Sequence, residues 1–222
     1  MICIALMAQD TEEALKKMTV ASPNCDLMEV RLDVMKSFDL EKIISSAQKP
    51  LLITYRSKKE GGKGDIPDNA RVDYLLEAVR LGADYIDVEY AMPLEHRDRL
   101  FEGRGKSRLV LSKHFMDGTP SEETLSHLLK KMTATGAHVV KIVTQARTTL
   151  DNLSVLRLIP ESEALGVKAV AFCMGPLGRI SRVACPLLGG AFTFAAFREG
   201  QESAPGQITA KEMKYMLERL GS

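Results

Sequence analysis

Eight short apolar runs, each followed by a longer amphipathic stretch, constrain the fold of this chain more than any other feature. The runs begin near Ile2, Asp26, Pro50, Asp84, Arg108, His138, Val167 and Ala191, roughly 24–34 residues apart. They are rich in Val, Ile, Leu and Phe, as strands covered on both faces tend to be. Between them the spacing predicts helices over 11–19, 69–81, 121–135 and 149–159, with a last helix over 209–220. Ser121-Glu122-Glu123-Thr124 follows Pro120 and puts acids in a first helical turn. The junction Leu81-Gly82-Ala83-Asp84 recurs in form as Thr135-Gly136-Ala137-His138 and Leu165-Gly166-Val167-Lys168. Each places a glycine where a helix must stop in a left-handed turn. Strict alternation of strand and helix implies parallel strands. Eight such units in 222 residues predict one (β/α)8 barrel, a TIM barrel, as a single domain over 1–222. An open doubly wound sheet would carry a glycine fingerprint after the first strand, where this chain reads Met7-Ala8-Gln9-Asp10.

Composition removes several classes of function. The 30 basic and 29 acidic residues nearly cancel, and no basic stripe marks a nucleic-acid surface. No apolar run approaches the ~18 residues of a membrane span, and Met1 to Leu6 is too short for a signal peptide. Cys3, Cys25, Cys173 and Cys185 stand apart in apolar context, without a C-x-x-C pair. They are expected to be reduced core residues of a cytoplasmic protein rather than disulfides or zinc ligands.

Active sites of such barrels lie at the C-terminal ends of the strands, so the inward residues there carry the chemistry. Alternation along a strand puts Glu29, Arg31 and Asp33 on one face, Thr54 and Arg56 on another, then Asp87 with Glu89, and Ser112 with His114. Strand 6 reads Val139-Val140-Lys141-Ile142-Val143, with one cation in an apolar strand. Each pair alone could be a structural ion pair, and Lys141 could merely balance Glu29 or Asp87. Desolvating so many charges is costly, however, and their convergence favours a site. Burial disfavours an ammonium and favours the neutral amine that attacks a carbonyl. Lys141 is therefore read as an imine-forming lysine, with His114 as its acid–base partner. His138 opens strand 6 at the far end of the barrel, and no H-x-H or H-E-x-x-H spacing suggests a metal site. Glu60-Gly61-Gly62-Lys63-Gly64 lacks the P-loop spacing and is expected to be a flexible loop over the site. Ser203-Ala204-Pro205-Gly206-Gln207 suits a lid.

The ordered pieces Glu29-Val-Arg31-Leu-Asp33, Thr54-Tyr-Arg56 with Glu60-Gly61-Gly62, Asp87-Val-Glu89, Ser112-Lys-His114, Val140-Lys141-Ile142, Met174 with Ile180-Ser181-Arg182, and Ser203-Ala-Pro-Gly-Gln207 resemble one family. It is the type I 3-dehydroquinate dehydratases of the shikimate pathway, and the likeness runs from strand 1 to the last helix. The resemblance implies a barrel enzyme, often a homodimer, without metal or organic cofactor. Its small-molecule substrate would be 3-dehydroquinate, converted to 3-dehydroshikimate by syn elimination of water. It implies Lys141 as the imine lysine, His114 as general acid and base, and Glu60 as the carboxylate orienting His114. Arg182 resembles the clamp on the substrate carboxylate. Glu29, Arg31, Arg56, Ser203 and Gln207 match positions that bind substrate or neighbouring charges. Lys113 and Phe115 flank His114 where that family usually has an aromatic, His or Asn before it and an acid or amide after it. By alternation both should point away from the site and change only packing. Two rivals remain: a class I aldolase, which would need a phosphate site near strands 7 and 8, and a ligand-binding barrel without catalysis.

Overall fold

The structure, a computed structural model, describes residues 1–221. Eight parallel strands run in the order β7-β6-β5-β4-β3-β2-β1-β8. They are β1 (Ile2–Leu6), β2 (Leu27–Arg31), β3 (Leu51–Thr54), β4 (Tyr85–Glu89), β5 (Arg108–His114), β6 (Val139–Gln145), β7 (Lys168–Met174) and β8 (Thr193–Ala195). Each expected strand exists, starting within two residues of its expected place. Helices α1 (Thr11–Ala21), α2 (Leu40–Ser45), α3 (Asp68–Arg80), α4 (Leu94–Gly103), α5 (Glu122–Thr133), α6 (Asp151–Leu156), α7 (Leu158–Ala164), α8 (Arg179–Leu187) and α9 (Ala210–Leu220) cover the outside. The fold is a (β/α)8 barrel. Its ladder is continuous from β7 round to β8, but β8 and β7 share no ladder. Across that seam Ala191 N–H donates to the Ala169 carbonyl at 2.8 Å, and the Phe172 and Phe194 rings meet edge to face with centroids 6.2 Å apart.

Strand alternation divides the buried apolar residues into two cores. Outward residues such as Ile4, Val30, Ile53, Ile86, Leu111, Val140 and Ala171 pack against the helices. Inward residues Cys3, Leu27, Leu52, Val110, Val139 and Val170 fill the barrel toward its N-terminal end. The charged inward residues follow them along the same strands, so the interior changes from apolar to ionic toward the C-terminal mouth. At the opposite end, residues just before a strand accept the amide of the preceding one. Asp26 takes the Ile2 N–H at 2.8 Å, Asp84 takes that of Leu51 at 2.9 Å, and His138 Nδ1 takes that of Leu109 at 3.1 Å. His138 is thereby a structural acceptor far from the mouth.

The expected helix over 149–159 is two helices, α6 and α7. Pro160 causes the break, because it has no N–H for the Leu156 carbonyl and its ring crowds that turn. Gly82, Gly136 and Gly166 do adopt positive φ (93°, 79° and 74°) where the preceding helices stop. All four cysteines are free and buried. Among the described residues no helix is long and apolar enough to cross a membrane.

Candidate active site

Glu29, Arg31, Arg56, Glu60, His114, Lys141, Arg182, Ser203 and Gln207 all line one cavity at the C-terminal mouth. Asp33, Thr54, Asp87, Glu89 and Ser112, also placed on inward faces by the sequence, do not line it but bond to Arg31, Glu29 and Arg56, which do. Lys141 lies at its centre, 4% exposed. Its Nζ is 3.4 Å from Asp87 Oδ2 and 3.9 Å from Glu29 Oε1, and stands 4.2 Å from the centre of the Phe194 ring. The amine thus has two carboxylates beside it, which burial of the strand alone does not convey.

Those carboxylates belong to a buried ionic lattice. Glu29 accepts from the Thr54 hydroxyl at 2.8 Å. Arg56, just beyond β3, places Nη2 2.7 Å from Asp87, and its Nη1 donates to Ser112 Oγ at 2.9 Å and Glu89 Oε1 at 3.2 Å. Arg71 reaches in from α3 and donates to Glu89 Oε2 at 2.7 Å and to the Tyr55 carbonyl at 3.0 Å. Arg31 grips Asp33 through two 2.8 Å bonds. Burial works against the Arg56 guanidinium, but Asp87, Glu89, Glu60 and Glu29 outweigh it and hold its pKa above the usual value. Burial likewise raises Asp87, yet Arg56, Lys141 and the Ser112 hydrogen bond hold it well below the carboxylate range. Removing one member of such a lattice leaves buried charges uncompensated. Arg56→Met is expected to destabilise the fold by about 3–5 kcal/mol in urea unfolding; a loss below about 1 kcal/mol would show the lattice to be dispensable.

Glu60 comes from a helical turn (Lys58–Glu60) after β3 that crosses the end of β5. Its Oε2 accepts both the backbone N–H and Nδ1 of His114, each at 3.0 Å. A carboxylate can only accept, so the imidazole donates from Nδ1 and leaves Nε2 as the basic nitrogen. Burial, then the cations Arg56 and Lys141, push His114 well below the usual imidazole value, against the pull of Asp87. The ring is accordingly a neutral base at neutral pH.

The glycine loop is tied to its neighbours by backbone hydrogen bonds. Gly62 N–H donates to the Ser57 carbonyl at 2.8 Å, Gly64 N–H to that of Arg56 at 3.0 Å, and Lys63 N–H to Asp33 at 2.9 Å. A Cβ on Gly62 would come within 2.2 Å of the Arg56 carbonyl oxygen, so the glycine allows backbone to pack on backbone. The expected outward packing of Lys113 needs correction. Its backbone is on the outward register, but its Nζ donates to Glu60 Oε1 at 3.0 Å. The four-carbon stem turns round the strand end to the carboxylate lying there.

Arg182 closes the cavity on the side of β7 and β8. Ser181 Oγ accepts the Cys173 N–H at 2.9 Å and fixes the start of α8 to β7. Pro186 in the last turn of α8 has no N–H for the Arg182 carbonyl, which takes the Thr193 hydroxyl of β8 at 2.7 Å instead. The guanidinium is fully buried, stacked 4.5 Å over the Phe172 ring. Its only hydrogen bond runs from Nη2 to the Pro205 carbonyl at 3.2 Å; Nε and Nη1 have no partner among the described residues. Burial without a counter-charge lowers its pKa to about 10. A planar donor held open in this way matches a carboxylate.

The 203–207 loop is docked over the cavity. Gln207 Nε2 donates to Ser203 Oγ at 2.9 Å, its Oε1 accepts the Ser203 N–H at 2.8 Å, and Gly175 N–H donates to the Pro205 carbonyl at 3.0 Å. Sequence reasoning missed the apolar wall of Val143, Phe172 and Phe194: Val143 shares the inward face of β6 with Lys141 but is apolar, and β7 and β8 are buried on both faces and show no alternation. Arg71 was also missed, although Arg71, Leu75 and Ala78 share one helical stripe and a cation there is conspicuous.

Known proteins resemble this chain over nearly its whole length. A sequence model of the type I 3-dehydroquinase family matches residues 2–222. The 3-dehydroquinate dehydratase of Syntrophobacter fumaroxidans is 38% identical over 232 residues, covering 100% of this chain and 97% of that protein. That of Thermococcus gammatolerans is 39% identical, covering 98% and 97%. The crystal structure of the Clostridium difficile type I 3-dehydroquinate dehydratase with covalently modified comenic acid superposes with a TM-score of 0.89 at 27% identity, over 99% of this chain and 91% of that one. A matching family model over nearly the whole length, and relatives alike from end to end, establish that the chain belongs to the type I 3-dehydroquinase family.

Proposed function

We propose that this chain is a 3-dehydroquinate dehydratase, eliminating water from 3-dehydroquinate through an imine on Lys141 to give 3-dehydroshikimate. The observation that carries the reading is the pairing of a buried amine and an imidazole held by Glu60 with a buried guanidinium that has no counter-charge among the described residues, across the same cavity. His114 Nε2 takes a proton from Lys141, and the freed amine attacks the ketone carbon; His114 returns that proton to the carbinolamine hydroxyl, which leaves as water and gives a protonated imine with the ring neutral again. His114 Nε2 removes a proton from the neighbouring carbon, and that electron pair moves into the imine to form an enamine. The enamine pushes out the β-hydroxyl, which takes the proton from His114 and leaves as water. Hydrolysis of the product imine restores the amine. One histidine on one face serves both proton transfers, which requires the syn course. Glu29, Arg31 and Arg56 hold the amine and ring hydroxyls in register, while Ser203 and Gln207 cover the ring.

An aldolase acting on sugar phosphates is less well supported. Gly189 and Gly190 precede β8, at the end of the barrel away from Lys141, and the Gly175 N–H is already bonded to Pro205. Turnover of 3-dehydroquinate, followed by enone absorbance, tests the reading; no enone with retro-aldol cleavage of a sugar phosphate would refute it. Arg182 provides a sharper check. A buried cation without a counter-ion costs stability and is kept for a ligand. Arg182→Met is expected to raise KM about 10–200-fold, the range for charge-assisted hydrogen bonds to a carboxylate. Thermal stability should stay unchanged or rise. Unaltered KM would remove Arg182 from the substrate site.

We further infer a homodimer in the cytoplasm. Exposed Leu150, just before α6, Leu153 on α6, Leu177 in the turn between β7 and α8, and Ile180 on α8 lie where Asn152 of α6 donates to the Leu177 carbonyl at 2.9 Å. A patch of this kind suits a second copy. Four free, buried cysteines suit a reducing compartment.

A further inference from the structure

We propose that Lys113 is a positioning residue that acts on His114 through Glu60, sharing that carboxylate with the imidazole and so restraining how basic the ring becomes. The inference rests on the dehydratase reading for its purpose, but its geometry stands apart from it. Glu60 is buried, with one oxygen turned to each partner: Oε2 accepts from His114 and Oε1 from Lys113, both at 3.0 Å. The Lys113 side chain is a quarter exposed and rests its ammonium 5.7 Å from the centre of the Phe115 ring. Arg56 is the other cation near the carboxylate, at 3.7 Å from Oε2, and its Nη1 and Nη2 also face Glu89, Ser112 and Asp87. Lys113 is thus the close cation on Glu60.

The physical effect follows from charge. A carboxylate alone on Nδ1 stabilises the imidazolium and would raise the basicity of the ring. A second cation on the same carboxylate draws off part of that stabilisation. The other charges around His114 come from several elements. Arg31 stands at the end of β2, Arg56 follows β3, Asp87 is on β4 and Lys141 is on β6. Lys59, Asp117 and Arg147 line the outer cleft beside it. All of these stay in place when Lys113 is changed. A base that must give its proton back to the leaving hydroxyl works best when neither too strong nor too weak. Lys113 sets that balance from outside the cavity, without touching substrate.

The test is an NMR titration of the His114 Cε1–H resonance, assigned by its loss in His114→Asn, alongside the acid limb of the kcat/KM profile. Removing a cation favours the protonated ring, so Lys113→Met should raise both midpoints by ~0.5–1 pH unit, the size expected of a partly exposed charge. Lys113→Arg should keep the wild-type midpoint, and KM should change by less than about twofold. In a Glu60→Gln background the Lys113→Met shift should fall to less than half. A midpoint that stays put in Lys113→Met, with or without a lower Tm, overturns the proposal in favour of simple packing. An equal shift in the Glu60→Gln background overturns the route through Glu60. Lys113→Gln removes the same charge should the Met variant not fold. The titration needs no turnover, so absence of dehydratase activity would refute the function and leave this result readable.

Discussion

Lys141→Met is expected to abolish turnover of 3-dehydroquinate, with kcat reduced by about 10⁴-fold or more. Covalent catalysis is the route by which the ketone becomes an electron sink, and enzymes commonly owe accelerations of about 10⁶-fold or more to their full machinery. Met keeps the length and apolar character of the side chain but has no amine. The fold should tolerate the change, because Asp87 keeps Arg56 at 2.7 Å and Ser112 at 2.6 Å, and Glu29 keeps Thr54 at 2.8 Å. Borohydride with substrate or product should reduce a covalent adduct onto the Lys141 peptide of the wild type and onto nothing in the variant. A labelled peptide lacking residue 141, or turnover within tenfold of wild type, would refute the imine at Lys141.

His114→Ala is expected to separate the two halves of the reaction. General acid–base catalysis by one group contributes about 10²–10⁴-fold, and kcat should fall by that amount. The amine of Lys141 remains, so borohydride should still trap an adduct at residue 141, formed more slowly because dehydration of the carbinolamine also uses the ring. Adduct without elimination is the diagnostic combination. Full elimination in the variant would assign the proton transfers to another group, and loss of the adduct would make His114 essential for imine formation itself.

Legibility of the site in the sequence varied with the element that carries each residue. On β2 to β6 a charged residue among Val, Ile and Leu is conspicuous, and alternation alone assigns Glu29, Asp87, Ser112 and Lys141 to the interior. On β7 and β8 both faces are apolar, so Phe172 and Phe194 cannot be told from outward residues such as Ala171 and Ala195 by pattern. Arg182 stands on a helix, and Ser203 and Gln207 on a loop; no periodicity points to them, composition marked only the loop as a lid, and their roles came from the likeness to a family. Alternation also says where a Cβ points and nothing about how far a long side chain reaches. Lys113 reaches round to Glu60 and Arg71 reaches in from α3 for that reason. The helix break at Pro160 was, by contrast, readable from the chain, since proline removes a specific hydrogen bond.

The missing ladder between β7 and β8 leaves the two sides of the cavity built differently. Paired strands lie about 4.8 Å apart and are joined by backbone hydrogen bonds; at this seam Phe172 and Phe194 meet edge to face instead, with centroids 6.2 Å apart. On the seam side the cavity is bounded by Val143, Phe172, Met174, Phe194 and the 203–207 loop. The opposite side, from β2 to β5, is fixed by ion pairs that tolerate little displacement. The cavity thus joins an ionic wall fixed by hydrogen bonds to an apolar wall held across the seam by ring packing.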